Sequence, residues 1–165
     1  MASLHTVVAA VDFSDISAEV LDTARDMARL HQARLHVIHA VGDPFRSMYA
    51  VESSGLDLPD VLREWTEAAR KELAILVAQH PIEPGQLTTA VLSGTPAHAI
   101  VRYADEQKAD LIVIGSHGRG VVSRLLLGSV AERVLHLAGC PVFLVSHRAR
   151  RVASLEARAA AAVGG

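Results

Sequence analysis

Short apolar runs alternate with longer amphipathic segments along this chain. The apolar runs have the length of strands and are rich in Val, Ile, Leu and Ala: residues 5–12, 33–41, 86–94, 109–115 and 140–146. The segments between them repeat apolar residues at helical spacing: residues 14–32, 59–80, 95–107 and 129–139. We predict a β-α-β-α-β-α-β-α-β order. That order is typical of an α/β fold with an open five-stranded parallel sheet and helices on both faces, joined by right-handed crossovers.

Individual residues refine these predicted elements. Ser14 is a favourable N-cap for the first helix, and Thr95 followed by Pro96 predicts the start of the third. The run 109–115 hardly alternates, which suits a strand that is covered on both faces. The apolar face of the first helix is predicted to contain Ile16, Val20, Ala24, Met27 and Leu30, and that of the second helix Trp65, Ala69, Leu73 and Leu76. Residues 42–58 have no steady period and are predicted to form a long loop.

Composition and charge narrow the class of protein. Half of the 165 residues are apolar and 21% are charged, as expected for one globular domain with a real core. The net charge is −2 and the pI is near 6.5, so the chain does not have the excess of basic residues that is typical of a nucleic-acid-binding domain. Cys140 is the single cysteine, which excludes an intrachain disulfide and suits a reducing compartment. We therefore expect a cytoplasmic protein with no nucleic-acid partner and no membrane insertion.

Glycine is concentrated between the fourth predicted strand and the last predicted helix. The segment "GSHGRGVVSRLLLGS", residues 115–129, contains four glycines. The amino end of a helix attracts phosphate, and glycine lets a ligand approach the backbone. The segment matches neither GxGxxG nor the P-loop motif, which needs a lysine. From the pattern alone, a phosphate site and a purely structural turn are equally good interpretations, since Ser129 and Glu132 also have the spacing of a capping box.

The glycine spacing resembles that of the universal stress protein family, and of its ATP-binding branch in particular. Gly115, Gly118, Gly128 and Ser129 match the pattern G-x2-G-x9-G-[ST]. The flanking blocks occur in the family's order from about residue 4 to residue 146. The resemblance implies a Rossmann-like, adenine nucleotide alpha hydrolase-like domain over residues 1–146. The tail 147–165 lies outside it, and its Ala and Arg favour either an extra helix or partial disorder.

The resemblance also assigns roles at a nucleotide site. Asp12 would bind the ribose hydroxyls, although an ordinary turn residue is the alternative, and the backbone of Ala40 would read the adenine edge. The phosphates would be held by the backbone of Gly115, Gly118, Gly128 and Val130 and by the hydroxyl of Ser129. Arg119 and Arg124 would neutralise phosphate charge, or else are only solvated.

Histidine and cysteine offer few other candidate sites. His36 and His39 are three apart on a predicted strand, so their side chains are expected on opposite faces of the sheet. His117 is either a phosphate contact or a solvated loop residue. Cys140 is expected to be a buried small hydrophobe. No HExxH motif, cysteine pair or nucleophile elbow is present.

The function implied by the resemblance is that of a regulator. ATP, or ADP or AMP, would bind, no residue of the chain would act on it as a catalyst, and Mg²⁺ would be held mainly by the phosphates and water. A protein partner would sense nucleotide occupancy, and the chain would form a homodimer through strand 141–145. Two alternatives remain: a slow ATPase or phosphotransferase, and a nucleotide-independent chaperone-like dimer. The intact glycine loop argues against the second.

Overall fold

Strands and helices alternate in the predicted order. The computed structural model describes residues 3–42, 58–83, 85–117 and 127–146. The elements in these ranges are β1 (Thr6–Ala10), α1 (Ser17–His31), β2 (Arg34–Val41), α2 (Leu58–Ala78), β3 (Leu87–Ser93), α3 (Pro96–Glu106), β4 (Leu111–Gly115), α4 (Ser129–Leu137) and β5 (Val142–Val145). Their ends lie within three residues of the predicted ends. Residues 43–57 of the predicted loop and the tail 147–165 lie outside the described residues.

The five strands form one parallel sheet in the order β3-β2-β1-β4-β5. In its register Val7 of β1 pairs with Leu35 on one side and Leu111 on the other. Because β1 is the central strand and helices cover both faces of the sheet, all five residues of β1 are buried. The chain runs outward from β1 to β3 and then crosses back to β4. The point where the strand order reverses therefore lies between β1 and β4.

The two faces of the sheet carry separate hydrophobic cores. Side chains alternate along β1, so Val7 and Ala9 pack on one face while Val8 and Ala10 pack on the other. The first core includes Val20, Leu21, Ala24 and Ala28 of α1 and Leu73 of α2. The second includes Ala97, Ile100 and Ala104 of α3 with Ala131 and Val134 of α4. The predicted cover of helices on both faces is confirmed.

The start of α1 differs from the prediction. Ile16, not Ser14, is the N-cap residue. Ser14 instead belongs to a preceding turn, in which its carbonyl accepts the Ser17 N–H at 2.9 Å. Its hydroxyl donates to Asp12 Oδ1, and α1 begins only at Ser17, so Ser14 lies two residues before the N-cap position. The predicted start of α3 is confirmed, with Thr95 as the N-cap residue and Pro96 in the first turn, although Thr95 makes no side-chain capping bond.

The buried faces of α1 and α2 are narrower than predicted. Leu30 is 76% exposed because it lies two residues, about 200°, beyond buried Ala28 around the helix. Trp65 is 49% exposed, whereas Ala69 and Leu73 further along the same face are buried. A helix of 21 residues is about 31 Å long, longer than the seven-residue strand β3, which spans about 23 Å. The sheet therefore cannot cover the whole of α2.

Candidate functional site

A cavity of about 380 Å³ opens at the carboxyl ends of β1 and β4, where the strand order reverses. Ligands of open α/β sheets bind at this kind of position. The cavity is lined by Ala10, Val11, Asp12, Ser17, Val20, His39, Ala40, Pro96, Ile100, Ile114, Gly115, His117, Gly128, Ser129, Val130 and Ala131.

Most of the predicted nucleotide-site residues meet in this cavity. They come from the ends of three strands and from the start of α4: Asp12, Ala40, Gly115, Gly128, Ser129 and Val130. Gly118, Arg119 and Arg124 lie outside the described residues. The structure thus brings together six side chains or backbone segments that were selected from the sequence, while their ligand stays a prediction.

Asp12 is held in place by hydrogen bonds from the turn that follows β1. Its Oδ1 accepts the backbone N–H of Ser14 at 3.1 Å and the hydroxyl of Ser17 at 3.2 Å. The Ser14 hydroxyl also donates to this oxygen. Asp12 is therefore both a turn residue and part of the cavity lining. The two sequence-based interpretations of this aspartate are compatible.

His39 also lines the cavity and was not predicted as a site residue. Its Nδ1 is 2.8 Å from the carbonyl oxygen of Val11. Since a carbonyl only accepts, this nitrogen carries a hydrogen. The ring stacks on Phe13 with centroids 4.2 Å apart, and Phe13 has a φ of 60°, which is rare for a bulky residue. The position of His39 one residue before Ala40 was the signal that could have identified it.

His36 faces the opposite side of the sheet, as predicted. It is 4% exposed, and its Nδ1 lies 2.9 Å from the hydroxyl of Tyr103 on α3. Burial, followed by the nearby positive charge of Arg34, lowers the pKa of His36 below its ordinary value. This histidine is therefore a neutral part of the core rather than a ligand-binding group.

Close packing explains the glycine at the end of β4. A Cβ on Gly115 would lie 2.8 Å from Cγ2 of Ile16 and 3.2 Å from the carbonyl oxygen of His117. The first distance is shorter than real side chains allow. Ile16 is itself buried at the start of α1, so the absence of a side chain on Gly115 lets β4 and α1 approach each other beside the cavity.

Ser116 connects the carboxyl end of β4 to two neighbouring elements. Its N–H donates to Val145 of β5 at 2.7 Å, and its carbonyl accepts the N–H of Gly128 at 2.8 Å. Ser116 is only 7% exposed. These bonds bring the amino end of α4 back to the end of β4, where the cavity lies.

The predicted capping box of α4 is wrong. Gly128 is the N-cap residue and Ser129 is the first residue of the helix, with no side-chain capping bond at this end. The physical reason is that an N-cap residue must supply the side-chain acceptor itself, and glycine has none. The first N–H groups of α4 therefore keep their capacity to bind an anion, and the positive end of the helix dipole lies at the cavity.

His117 is not a solvated loop residue. His117 is one of the residues that line the cavity, and its Nδ1 is 2.9 Å from the hydroxyl oxygen of Ser116. Its Nε2 is buried and has no hydrogen-bond partner in the part of the chain that the structure describes. The solvated alternative is thereby excluded, while contact with a phosphate stays a prediction.

Cys140 is half-buried at the edge of the second core. Burial is the main reason why the pKa of its thiol is raised, with negative charges of Asp105 and Asp110 adding to the effect. A raised pKa disfavours the reactive thiolate. Cys140 therefore packs against the core as a small hydrophobic residue, as predicted, but it is only partly buried.

No group of three or more His, Cys, Asp or Glu side chains among the described residues is arranged to hold a metal ion. No helix in the described ranges has both the length and the apolar character needed to span a membrane.

The fold and the position of the cavity define a class: a doubly wound α/β protein with a cavity at its topological switch point. The sequence profile of the universal stress protein family matches residues 3–146. The chain therefore belongs to the universal stress protein family.

Individual relatives agree with this assignment. Universal stress protein MJ0531 of Methanocaldococcus jannaschii is 36% identical over 140 residues, covering 84% of this chain and 80% of the relative. Universal stress protein YxiE of Bacillus subtilis is 35% identical over 149 residues, covering 86% and 98%. A universal stress protein solved in complex with cAMP superimposes with a TM-score of 0.64 at 27% identity, covering 87% of this chain and 98% of that one.

Proposed function

We propose that this chain binds an adenine nucleotide in the cavity between β1 and β4, with ATP as the main ligand and ADP or AMP as alternatives. One observation carries the proposal: six residues predicted from separate segments line a single cavity at the switch point. Its volume of about 380 Å³ lies within the range of about 300–1,000 Å³ that is usual for small-molecule sites. The relative solved with cAMP supports an adenine nucleotide as the ligand class.

The chemistry of the lining suggests an orientation for the nucleotide. The carboxylate of Asp12 is an acceptor for the ribose hydroxyls, and the Ser14 and Ser17 bonds hold it in position. The backbone of Ala40 would meet the adenine edge. The phosphates would lie at the amino end of α4, where the N–H groups and the helix dipole favour negative charge. Gly118 and Arg119 belong to the same proposed phosphate site.

Any Mg²⁺ would arrive with the nucleotide. Within the described ranges no cluster of protein ligands is arranged for a metal ion. Phosphate oxygens and water are ligands that Mg²⁺ accepts readily. The cation would therefore neutralise phosphate charge. Ser129, whose hydroxyl belongs to the cavity lining, lies at the amino end of α4, where the phosphates would be.

The proposed role is regulatory rather than catalytic. Residues at the ends of β2 and β4 line the cavity. Residues 42–58 follow β2 in the chain, and residues 116–127 follow β4. Nucleotide occupancy would change the shape of these segments, and a protein partner would sense the change. Turnover of ATP would be slow, because Asp12 is engaged with its turn and the chain has no P-loop lysine to stabilise phosphoryl transfer.

A homodimer through β5 is part of the same proposal. β5 is an edge strand of the sheet, and Phe143 on it is 42% exposed. An exposed apolar edge strand tends to pair with another strand. Pairing of two β5 strands would cover this edge.

Isothermal titration with ATP tests the nucleotide site. Gly128→Val places a branched side chain at the start of α4, and we expect at least about a tenfold loss of affinity, equivalent to about 1.4 kcal/mol. Gly128 has a φ of −65°, so valine is not excluded by the backbone. Gly139→Val is the matched control, because Gly139 is exposed at the other end of α4 and its Cβ would meet only Asp105 Oδ1 at 3.4 Å. Wild-type affinity in a folded Gly128→Val protein would show that the cavity does not hold the phosphates.

A further inference from the structure

The turn that follows β1 has a strained backbone next to the cavity. Phe13 has a φ of 60°, a left-handed conformation that is unfavourable for a residue with a bulky side chain. It directly follows Asp12, which lines the cavity. Residues in such conformations persist only where the surrounding structure holds them, and they are concentrated at functional sites. The contacts that hold Phe13 therefore indicate what the turn does.

Residues of β2 hold the chain on both sides of Asp12. The N–H of Val11 donates to the carbonyl oxygen of Ile38 at 2.9 Å. The carbonyl oxygen of Val11 accepts the Nδ1 hydrogen of His39 at 2.8 Å. The same imidazole ring stacks on the ring of Phe13, with centroids 4.2 Å apart and an angle of 28° between the planes. The side chain of His39 therefore contacts both the residue before Asp12 and the residue after it.

The carboxylate of Asp12 is oriented by other groups. Its Oδ1 accepts the Ser14 N–H at 3.1 Å and the Ser17 hydroxyl at 3.2 Å. These donors lie in the turn and at the start of α1, so they orient the carboxylate relative to the turn but not relative to β2. His39 supplies the constraint relative to β2, since it belongs to that strand and directly precedes Ala40. His39 thus sets the distance between the proposed ribose contact and the proposed adenine contact.

We propose that His39 is a positioning residue, which holds the strained turn so that Asp12 can accept hydrogen bonds from the ribose hydroxyls of the bound nucleotide. This inference rests on the proposed function and adds to it a residue that determines selectivity for the sugar. The hydrogen bond to Val11 and the stack on Phe13 offset the strain of the positive φ. Without these contacts the turn relaxes and the carboxylate moves relative to β2. Loss of His39 should therefore weaken recognition of the sugar and leave binding of the phosphates unchanged.

Two nucleotides that differ only in the sugar measure this effect. ATP and dideoxy-ATP, which lacks both ribose hydroxyls, have the same base and the same phosphates. The ratio of their affinities in isothermal titration therefore reports the contact with the hydroxyls. We expect the wild type to prefer ATP roughly ten- to a hundredfold, the range for one hydrogen bond to a charged group. Asp12→Ala should abolish this preference and serves as the reference for its complete loss.

Two substitutions separate the two contacts of His39. His39→Asn keeps an amide donor near the position of Nδ1 and removes the ring that stacks on Phe13. His39→Phe keeps a ring and removes the donor to Val11. Each should lower the preference for ATP roughly three- to tenfold, the range for one aromatic pair or one neutral hydrogen bond. The affinity for dideoxy-ATP should change by less than about twofold, because that ligand makes no bond to the carboxylate.

A matched control is available in the same strand. His36→Asn makes the same chemical change three residues earlier in β2, on the face of the sheet where His36 contacts Tyr103 and not the turn. It should leave the preference for ATP unchanged. Thermal unfolding first shows that each variant is folded. The control thus separates a general loss of stability from a change at the sugar contact.

The results with the two nucleotides distinguish positioning from other roles. An equal loss of affinity for both nucleotides in the His39 variants would show that His39 supports the cavity as a whole, and would overturn the inference. An unchanged preference for ATP in both variants would overturn it as well. A wild type that binds both nucleotides equally would refute the ribose contact of Asp12, and the inference with it. A wild type that binds neither nucleotide would refute the proposed function itself.

A measurement on the wild type covers variants that do not fold. If His39 strengthens the binding of ribose, bound ribose must stabilise the contacts of His39 by the same factor, because coupling between two sites is reciprocal. The exchange of the Nδ1 hydrogen of His39 with solvent is followed by NMR at saturating ATP and at saturating dideoxy-ATP. ATP should slow this exchange roughly threefold or more relative to dideoxy-ATP. Equal exchange rates with the two nucleotides would reject the positioning role.

Discussion

Adding one methyl group at Gly115 tests why the glycine-rich segment begins with a glycine. In Gly115→Ala the new Cβ would lie 2.8 Å from Ile16 Cγ2 and 3.2 Å from the backbone oxygen of His117. Neither neighbour moves easily, because Ile16 is 2% exposed and the other atom is backbone. Overpacking of this kind costs about 1–3 kcal/mol. We expect the free energy of unfolding of the ligand-free protein to fall accordingly.

A matched glycine isolates this packing cost. Alanine also lowers the entropy of the unfolded chain, which stabilises a protein by about 0.4–1 kcal/mol where the backbone tolerates it. Gly42→Ala gains the same entropic benefit without the clash, since nothing lies within 4 Å of its added Cβ. The difference between the two variants is therefore the packing cost alone. Each kcal/mol corresponds to about 2–4 °C in Tm for a chain of this size.

Urea unfolding at 25 °C, followed by circular dichroism, measures both variants. A double-mutant cycle then identifies the contact. Ile16→Ala removes Cγ2, so Gly115→Ala should cost less in that background, with a coupling energy of about 1 kcal/mol or more. The contact with the His117 oxygen would remain. Equal stability of Gly115→Ala and Gly42→Ala, or no coupling to Ile16, would refute the packing explanation and leave ligand approach as the reason for this glycine.

Two other predictions follow from single side chains. Burial lowers the pKa of His36, so the unfolded chain binds a proton at this histidine more readily than the folded protein does. The stability that neutral His36 contributes is therefore fully present above about pH 6.5. It is lost as the pH falls below that value. Asparagine does not titrate, so His36→Asn should lose less stability than the wild type between pH 7 and pH 5, as measured by urea unfolding. His98→Asn is the control, because His98 is exposed. Identical pH profiles for the wild type and His36→Asn would contradict a lowered pKa of His36. Phe143→Asp should convert a β5 dimer into a monomer in sedimentation experiments without unfolding it, since Phe143 is 42% exposed whereas its neighbour Val145 is 8% exposed and belongs to the core. A wild-type protein that is monomeric at micromolar concentration would rule out this dimer.

The sequence by itself determined the elements and the family. Short apolar runs and period-3.6 patterns are local, so five strands and four helices could be predicted within three residues of their observed ends. The spacing of Gly115, Gly128 and Ser129 identified the family that the profile over residues 3–146 confirms. Local patterns were less informative at helix ends. Ser14 and Ser129 both have good capping chemistry, yet other residues occupy the N-cap positions.

Tertiary structure decided which distant residues meet. The order β3-β2-β1-β4-β5 places the ends of β1 and β4 side by side, and no local pattern in either strand specifies that neighbour. Consequently only the fold shows that Ile16 excludes a side chain at Gly115, that Ser116 orients His117, and that His39 reaches the cavity. The physical reason is that periodicity reports which face of an element is buried, whereas the partner across that face is selected by packing of the whole chain.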